Sequence, residues 1–316
     1  MPSASAKPDA IRELAAKQAR FAFKARLFSL LRAYFEAHGF MEVITPSLIG
    51  APAPEEYIEA PPVPPGLFLR SSPELQMKRL LAAGYEKIYQ MGPCFRQGER
   101  GRLHREEFTM LEWYQAGADY EELLEFTRGM LISAVTALHG SGPCPCGKST
   151  IDFTAPWCVL SVRDAFEQFA DTSPKASIET NCFEEVLVSK VEPALPKDRP
   201  VVLKDYPARL GAFARLKKDD PSLAERWELY LGGVEIANAY GELTEPAEQR
   251  RRFALFNATR QSLGQKPYPE ATEFLAALDA GIPPSAGCAL GLERLAMILS
   301  GSERLDEVMF PEEALH

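Results

Sequence analysis

The sequence is short of several features that would place a protein early. It has no run of about 18 consecutive apolar residues, so no membrane-spanning helix is expected. The opening MPSASAKPDA lacks an apolar stretch behind a basic start, which argues against a secretory signal. Cysteine is sparse, with six in 316 residues, at positions 94, 144, 146, 158, 182 and 288. These do not suggest a secreted disulfide framework, and reduced thiols in a cytoplasmic protein are the expectation. Positive charge is in deficit: 35 Lys and Arg stand against 44 Asp and Glu, a formal net charge of −9. That balance argues against a protein whose main work is nonspecific grip on phosphate backbones. Internal repeats and a clean linker are also missing.

What is there is ordinary for a folded chain. Hydrophobic residues make up 46% and charged residues 25%, and the length suffices for one large core or two modest ones. Residues 1–10 read as a disordered tail. Phe23, Leu27, Leu30, Leu31 and Tyr34 recur at helical spacing, predicting a helix from Ile11 to His38 that Gly39 ends. The proline-rich stretch 50–66 reads as a surface loop. Ser72-Pro73-Glu74 can open a helix through Ala83, with Ser72 as N-cap and proline in the first turn. Tyr120–Leu138 is a second amphipathic helix, and 139–150 a glycine- and proline-rich break. The stretch 160–200 is mixed, and the last third returns to strands before a helix near 291–300.

Four segments carry chemistry. Gly39 to Pro46 is a helix stop followed by a short strand, and by itself reads as a plain connection. Ile88 to Tyr114 holds two strand-like runs around a polar loop. In the second run Met110, Glu112 and Tyr114 share one face, and Thr109, Leu111 and Trp113 the other. The loop holds Arg96, Arg100, Arg102, His104 and Arg105, a density of positive charge that suits a polyphosphate or else a solvated hairpin tip. Trp227 to Leu243 is a hairpin about Gly232-Gly233. Pairing Leu231 with Val234 sets Glu228 opposite Ala237, with Glu228 and Glu235 as diagonal neighbours roughly 7–8 Å apart. Two like charges that close call for a cation, and magnesium holding phosphate oxygens is the natural one. Strict alternation puts Asn238 on the wrong face, so a bulge or turn after Ala237 is expected. Gly287 to Leu295 passes from an apolar strand through glycines into a helix whose first turn holds Arg294, a place for an anion.

In this order and spacing the segments resemble the three signature motifs of class II aminoacyl-tRNA synthetases, at about 39–48, 88–114 and 286–300, with the lysyl branch the nearest. The run Glu107-Phe108-Thr109-Met110-Leu111-Glu112-Trp113-Tyr114 is the most specific part. The resemblance implies an α+β fold, a mostly antiparallel sheet flanked by helices, over a single catalytic domain at 11–316. Only about 20 residues precede the first catalytic helix, where lysyl-tRNA synthetases carry an anticodon-binding barrel. The chain is therefore more similar to the stand-alone paralogues that attach β-lysine to a lysine of translation elongation factor P, and tRNA is not the expected acceptor. SSPELQMKRLLAAGY and Cys288-Ala289 fit that group.

The resemblance also assigns roles. Arg96 and Arg294 would be catalytic, on the α- and γ-phosphates of ATP; Glu228 and Glu235 would hold magnesium. Phe108 would stack on adenine, with Glu99, His104 and Gly291 beside the nucleotide. Glu112, Tyr114 and Glu242 would surround the distal ammonium of the substrate, (R)-β-lysine or lysine. Ser72, Glu74 and Asn238 would take its amino and carboxylate end. Ala289 stands where lysyl-tRNA synthetases have glycine, and its methyl group would favour β-lysine by about 1–3 kcal/mol. A homodimer in the cytoplasm is implied as well. One departure is Phe95-Arg96-Gln97-Gly98-Glu99, where the family reads Phe-Arg-x-Glu. Either the loop adjusts so that Glu99 substitutes, or ATP binding is weakened; adjustment is expected, because the loop length to His104 is kept. Further readings are a ligase for another carrier, a silent regulatory paralogue, and a zinc site at Cys144 and Cys146 with Cys158 or Cys182.

Overall fold

The structure, a computed structural model, describes residues 9–55, 58–146 and 149–311. Most of the expected N-terminal tail lies outside these residues, and helix begins at Asp9. The long helix predicted from Ile11 is two, Asp9–Ala16 and Gln18–Ala37. Lys17 between them bonds to Glu13 at 2.8 Å and reaches the carbonyl of Met309. Gly39, at a φ of 77°, closes the second helix as expected. The Phe40 amide returns to the Phe35 carbonyl and the two rings meet edge to face.

The centre is an eight-stranded sheet. Its order is Met41–Glu42, Lys87–Phe95, Glu107–Ala116, Ser285–Gly291, Val234–Gly241, Leu223–Leu231, Val201–Pro207 and Cys158–Ser161. Six strands from Lys87–Phe95 to Val201–Pro207 pair antiparallel, and the outer strand on each side pairs parallel. The expected α+β class and mostly antiparallel sheet are therefore present. The strands at 158–161 and 201–207 extend the sheet through a region that gave little signal in the sequence.

Alternation divides the sheet between two jobs. Leu111 and Trp113, Trp227 and Leu229, Ala237 and Ala239, and Cys288 and Leu290 face one way. They pack against helices Gln18–Ala37, Tyr120–His139 and Leu292–Leu299, burying a continuous apolar layer. Tyr120–His139 is fixed at its start by a capping box between Asp119 and Glu122. The opposite face carries Met110, Glu112, Tyr114, Asn238 and Ala289 and borders a cavity. Helices Glu74–Ala82 and Thr272–Ala280 close one side of it. The other side carries short helical segments between 162 and 194 around Phe166, Tyr206 and Tyr230.

Two expectations need correction. The stretch 50–66 is more than a surface loop. Pro62–Val63 joins a small sheet with Leu48–Ile49 and Leu67–Leu69, Ala53 and Ala60 are buried, and Glu55 borders the cavity. The hairpin bulge also falls on the other side of Ala237. Tyr230 pairs with Glu235, then the register shifts, so Leu229 pairs with Ala237 and Glu228 with Asn238. Ile236 is the extra residue. It is a buried apolar side chain, so tucking it away stabilises the bulge, whereas a bulge after Ala237 would move a polar stretch.

Candidate active site

One cavity of about 1000 Å³ is bordered by every candidate residue named above: Ser72, Glu74, Arg96, Glu99, His104, Phe108, Glu112, Tyr114, Glu228, Glu235, Asn238, Glu242, Ala289, Gly291 and Arg294. Its two ends differ in chemistry.

The acidic end is buried. Glu112 is 1% exposed, and both its oxygens accept bonds, from Ser72 Oγ at 2.8 Å and from Tyr114 OH at 2.6 Å. Burial and the nearby charge of Glu74 push the Glu112 carboxyl up to about 8, against those two hydrogen bonds. Ser72 also accepts from the Glu74 amide at 3.0 Å, but the helix starts one residue later than expected, at Glu74 with Pro73 as its cap residue. Glu74 does not stand apart from the ammonium cage. It shares a cation with Glu242: Lys78 Nζ lies 2.5 Å from Glu74 Oε1 and 2.5 Å from Glu242 Oε2. Burial pushes the Glu242 carboxyl up, with Lys78 opposing. Gly287 sits beneath; a Cβ there would fall 2.2 Å from the Tyr114 ring and 2.5 Å from Glu242 Oε1. Only glycine lets these two side chains settle against the strand.

The basic end gathers around Arg96 and Arg294. Arg96 follows the strand Lys87–Phe95, its guanidinium 5.1 Å from the centre of the Phe108 ring. Its buried Nε has no partner among the described residues, a free donor where an anion is wanted. Arg294, in the first turn of Leu292–Leu299, donates to the Glu235 carbonyl at 2.9 Å, the Leu103 carbonyl at 3.1 Å and His104 Nε2 at 2.8 Å. Since arginine only donates, that histidine nitrogen is unprotonated. Partial burial and the Arg294 charge push the His104 pKa down, in agreement. Glu293, next to Arg294, accepts from the Thr109 amide and hydroxyl, each at 2.8 Å, and so ties this helix to the Glu107–Ala116 strand.

In the altered signature the glutamate comes one residue later, after Gly98. Gly98 takes a φ of 79° and its amide donates to Glu106 Oε1 at 2.8 Å. That left-handed turn brings Glu99 to the cavity, 3.8 Å from Arg96.

Between the ends lie Glu228, Glu235 and Asn238. Glu228 Oε2 accepts from Tyr206 OH at 2.5 Å and Tyr230 OH at 2.7 Å, and its Oε1 from Arg226 at 2.5 Å. Arg226 also donates to Asn238 Oδ1 at 3.2 Å. The bulge at Ile236 brings Glu228, Glu235 and Asn238 to one face. Enclosure and the Glu228 charge raise the Glu235 pKa, with Arg294 opposing. Two hard oxygen donors held together against repulsion suit magnesium, and Glu228 and Glu235 are the residues that would hold it.

Three cavity residues escaped the sequence reading. Glu55 has a buried oxygen without a partner among the described residues, and burial pushes its carboxyl up to about 7 against Arg96. Gln249 is 1% exposed with both amide atoms unpaired. Arg226 completes the set. Glu55 sat in a proline-rich stretch and Gln249 in a polar helix, so neither stood out. Among the described residues no group of three His, Cys, Asp or Glu is placed to hold a metal by itself, and Cys144 and Cys146 lie on a small hairpin, Cys144–Cys146 with Ser149–Ile151.

Comparison with known proteins identifies the family. A family model described as tRNA synthetases class II (D, K and N) matches residues 11–314. A lysine–tRNA ligase of Dehalococcoides mccartyi is 35% identical over 92% of the chain, which spans 64% of that relative's length. An elongation factor P–(R)-β-lysine ligase of Proteus mirabilis is 36% identical over 91% of the chain and is covered over 93% of its own length. Its counterpart in Vibrio parahaemolyticus is 34% identical over 90% of the chain, again with 93% covered. With nearly the whole chain matched and the second and third signature segments bordering one cavity, the protein belongs to the class II tRNA synthetases of the D, K and N group.

Proposed function

We propose that the chain is an ATP-dependent, AMP-forming ligase that activates (R)-β-lysine and transfers it to the ε-amine of a lysine on translation elongation factor P. One observation carries the reading: a single cavity joins a buried acidic end, Glu74, Glu112 and Glu242, to an arginine end, Arg96 and Arg294. Joining the carboxylate of a diamine to ATP needs both. The acceptor follows the name borne by relatives matched over 93% of their length. Residues 11–316 are read as one catalytic domain, cytoplasmic, and no described helix is long and apolar enough to cross a membrane.

In this reading Glu112, Tyr114 and Glu242 receive the distal ammonium, with Ser72 orienting Glu112. Asn238 borders the reacting end, beside Ala289, which pairs with both Asn238 and Glu112 across the sheet, while Glu74 joins the ammonium cage through Lys78. Phe108 stacks on the adenine, with Glu99, His104 and Gly291 around the nucleotide. The substrate carboxylate oxygen bonds to the α-phosphorus while the bond to pyrophosphate breaks, and Arg96 and Arg294 offset the charge on the phosphates. When bound at Glu228 and Glu235, magnesium supplies further charge neutralisation for the triphosphate. The ε-amine of the acceptor then forms an amide with the activated carbonyl, losing a proton as AMP leaves. No protein nucleophile is required; positioning and charge do the work. The presence of Glu99 in the cavity favours an active enzyme over a silent paralogue.

Exchange of labelled pyrophosphate into ATP tests this. Exchange is expected with β-lysine above lysine, and Ala289→Gly is expected to move the ratio toward lysine. Absence of exchange with either isomer overturns the reading. Exchange without transfer to elongation factor P leaves a ligase for another carrier.

A further inference from the structure

The acidic end holds a cation of its own. Lys78 is 1% exposed, lies one helical turn after Glu74, and bridges Glu74 to Glu242 across two elements at 2.5 Å each. Its ammonium also stands 4.7 Å from the Phe213 ring and 5.9 Å from the Tyr114 ring, so aromatic faces complete its surroundings. None of the roles assigned above uses it.

Charge arithmetic gives it one. Glu74, Glu112 and Glu242 are three buried carboxyls around a site that must accept an ammonium group. Without that resident cation these three neighbouring acids would keep more protons, and those protons would block the incoming ammonium. We propose that Lys78 is a specificity-determining positioning residue: it cancels one carboxylate charge, keeps Glu74 and Glu242 oriented toward the substrate, and so tunes the cage to lysine-type amino acids. This rests on the ligase reading above. Burial works against the charge on Lys78, but Glu242 and Glu74 more than offset it and hold the ammonium protonated. The other titratable groups facing this cluster are Tyr114 and Glu112 from the Glu107–Ala116 strand, Glu55 and Tyr240 on the side of Glu74, Arg215 beside Glu242, and Cys288 from the Ser285–Gly291 strand. Of these only Arg215 carries positive charge, and it is occupied by Glu225 at 2.6 Å.

The test compares Lys78→Met and Lys78→Arg with the wild-type chain in amino-acid-dependent pyrophosphate exchange at pH 7 to 9. For Lys78→Met, KM for the amino acid is expected to rise at least about tenfold at pH 7 while KM for ATP stays put. The variant-to-wild-type ratio of amino-acid KM should then shrink as pH rises, because alkali removes the proton that the unneutralised acids retain. Lys78→Arg, which keeps the charge, should show a ratio independent of pH. If Lys78→Met does not fold, Lys78→Met/Glu74→Gln removes a cation and an acid together and should restore the pH-independent ratio. A pH-independent ratio for Lys78→Met, or equal rises in KM for ATP and amino acid, overturns the proposal and leaves Lys78 a structural ion pair. If the wild-type chain itself catalyses no exchange with lysine or β-lysine, the ligase reading fails and this inference with it.

Discussion

Glu112 shows what a single residue costs the fold and supplies to the site. Its carboxyl is almost fully buried and is pushed up to about 8 by burial and by Glu74. The folded chain therefore holds that proton more tightly than an unfolded chain with an ordinary value of 4.5. Between those two values the folded state binds more protons, so this residue's contribution makes stability fall as pH rises through the window. Glu112→Gln has no charge to bury, and its melting temperature is expected to exceed that of the wild type by a few degrees at pH 8 but not at pH 4.5. The same change should lower kcat/KM for the amino acid by about 10²-fold or more, since about 3 kcal/mol of buried ion pairing with the substrate ammonium is lost. Thermal scans at the two pH values and exchange kinetics would check both. Equal melting shifts at the two pH values would show that the raised carboxyl has no bearing on stability. Period two placed Glu112 on one face with Met110 and Tyr114, and only the family resemblance gave it a site role. Its bond to Ser72 was not legible, because it spans 40 positions of chain, although Ser72 itself was read both as a helix cap and, by resemblance, as a substrate residue.

At the scale of elements, local pattern carried further than register. The strands around Gly92 and Leu111, the helix from Glu74 and the glycine-led helix of Arg294 all follow from alternation, caps and turn residues. The need for a bulge in the Leu223–Leu231 and Val234–Gly241 hairpin was also legible, from four polar residues that one face could not hold. Its position was not, because choosing between Ile236 and a residue after Ala237 depends on which side chain the helices can bury. The short strands at 48–49, 62–63 and 67–69 were missed for a similar reason: two or three residues show no period. Gly287 supplies the element-scale prediction. Strand Ser285–Gly291 passes so close under Tyr114 and Glu242 that an added methyl group overlaps both. Gly287→Ala is expected to raise KM for the amino acid by about 10²-fold, from about 1–3 kcal/mol of overpacking at the cage, and to leave KM for ATP unchanged. A parallel rise in both constants would place the damage in the whole sheet instead.

For the whole molecule, the sheet is a partition. Helices cover one face, the cavity takes the other, and the edge at Met41–Glu42 is left with Met41 55%, Ile44 93% and Leu48 49% exposed. Such an apolar edge invites a partner, and the homodimer that the resemblance implies would place a second copy there. Arg70 ties that segment inward, donating to the carbonyls of Thr45 at 2.8 Å and Pro93 at 2.9 Å, so the edge is braced against the strand that leads to Arg96. Light scattering on a sizing column should give twice the chain mass for the wild type, and Ile44→Asp should shift it to the single-chain value. A wild-type monomer would remove the dimer from the picture.

The one extra residue at Ile236 has a last consequence. It sets the parity of everything after it: with it, Asn238 and Tyr240 look into the cavity while Ala237 and Ala239 meet the helices. An insertion or deletion of one residue between Ile236 and Glu242 would exchange the two sets, sending amide and phenol into the apolar layer and alanines into the site. Changes of two residues would keep each set on its side. This hairpin therefore has a reading frame of its own, with a period of two rather than three, and descendants of the sequence can drift in composition there far more freely than in length.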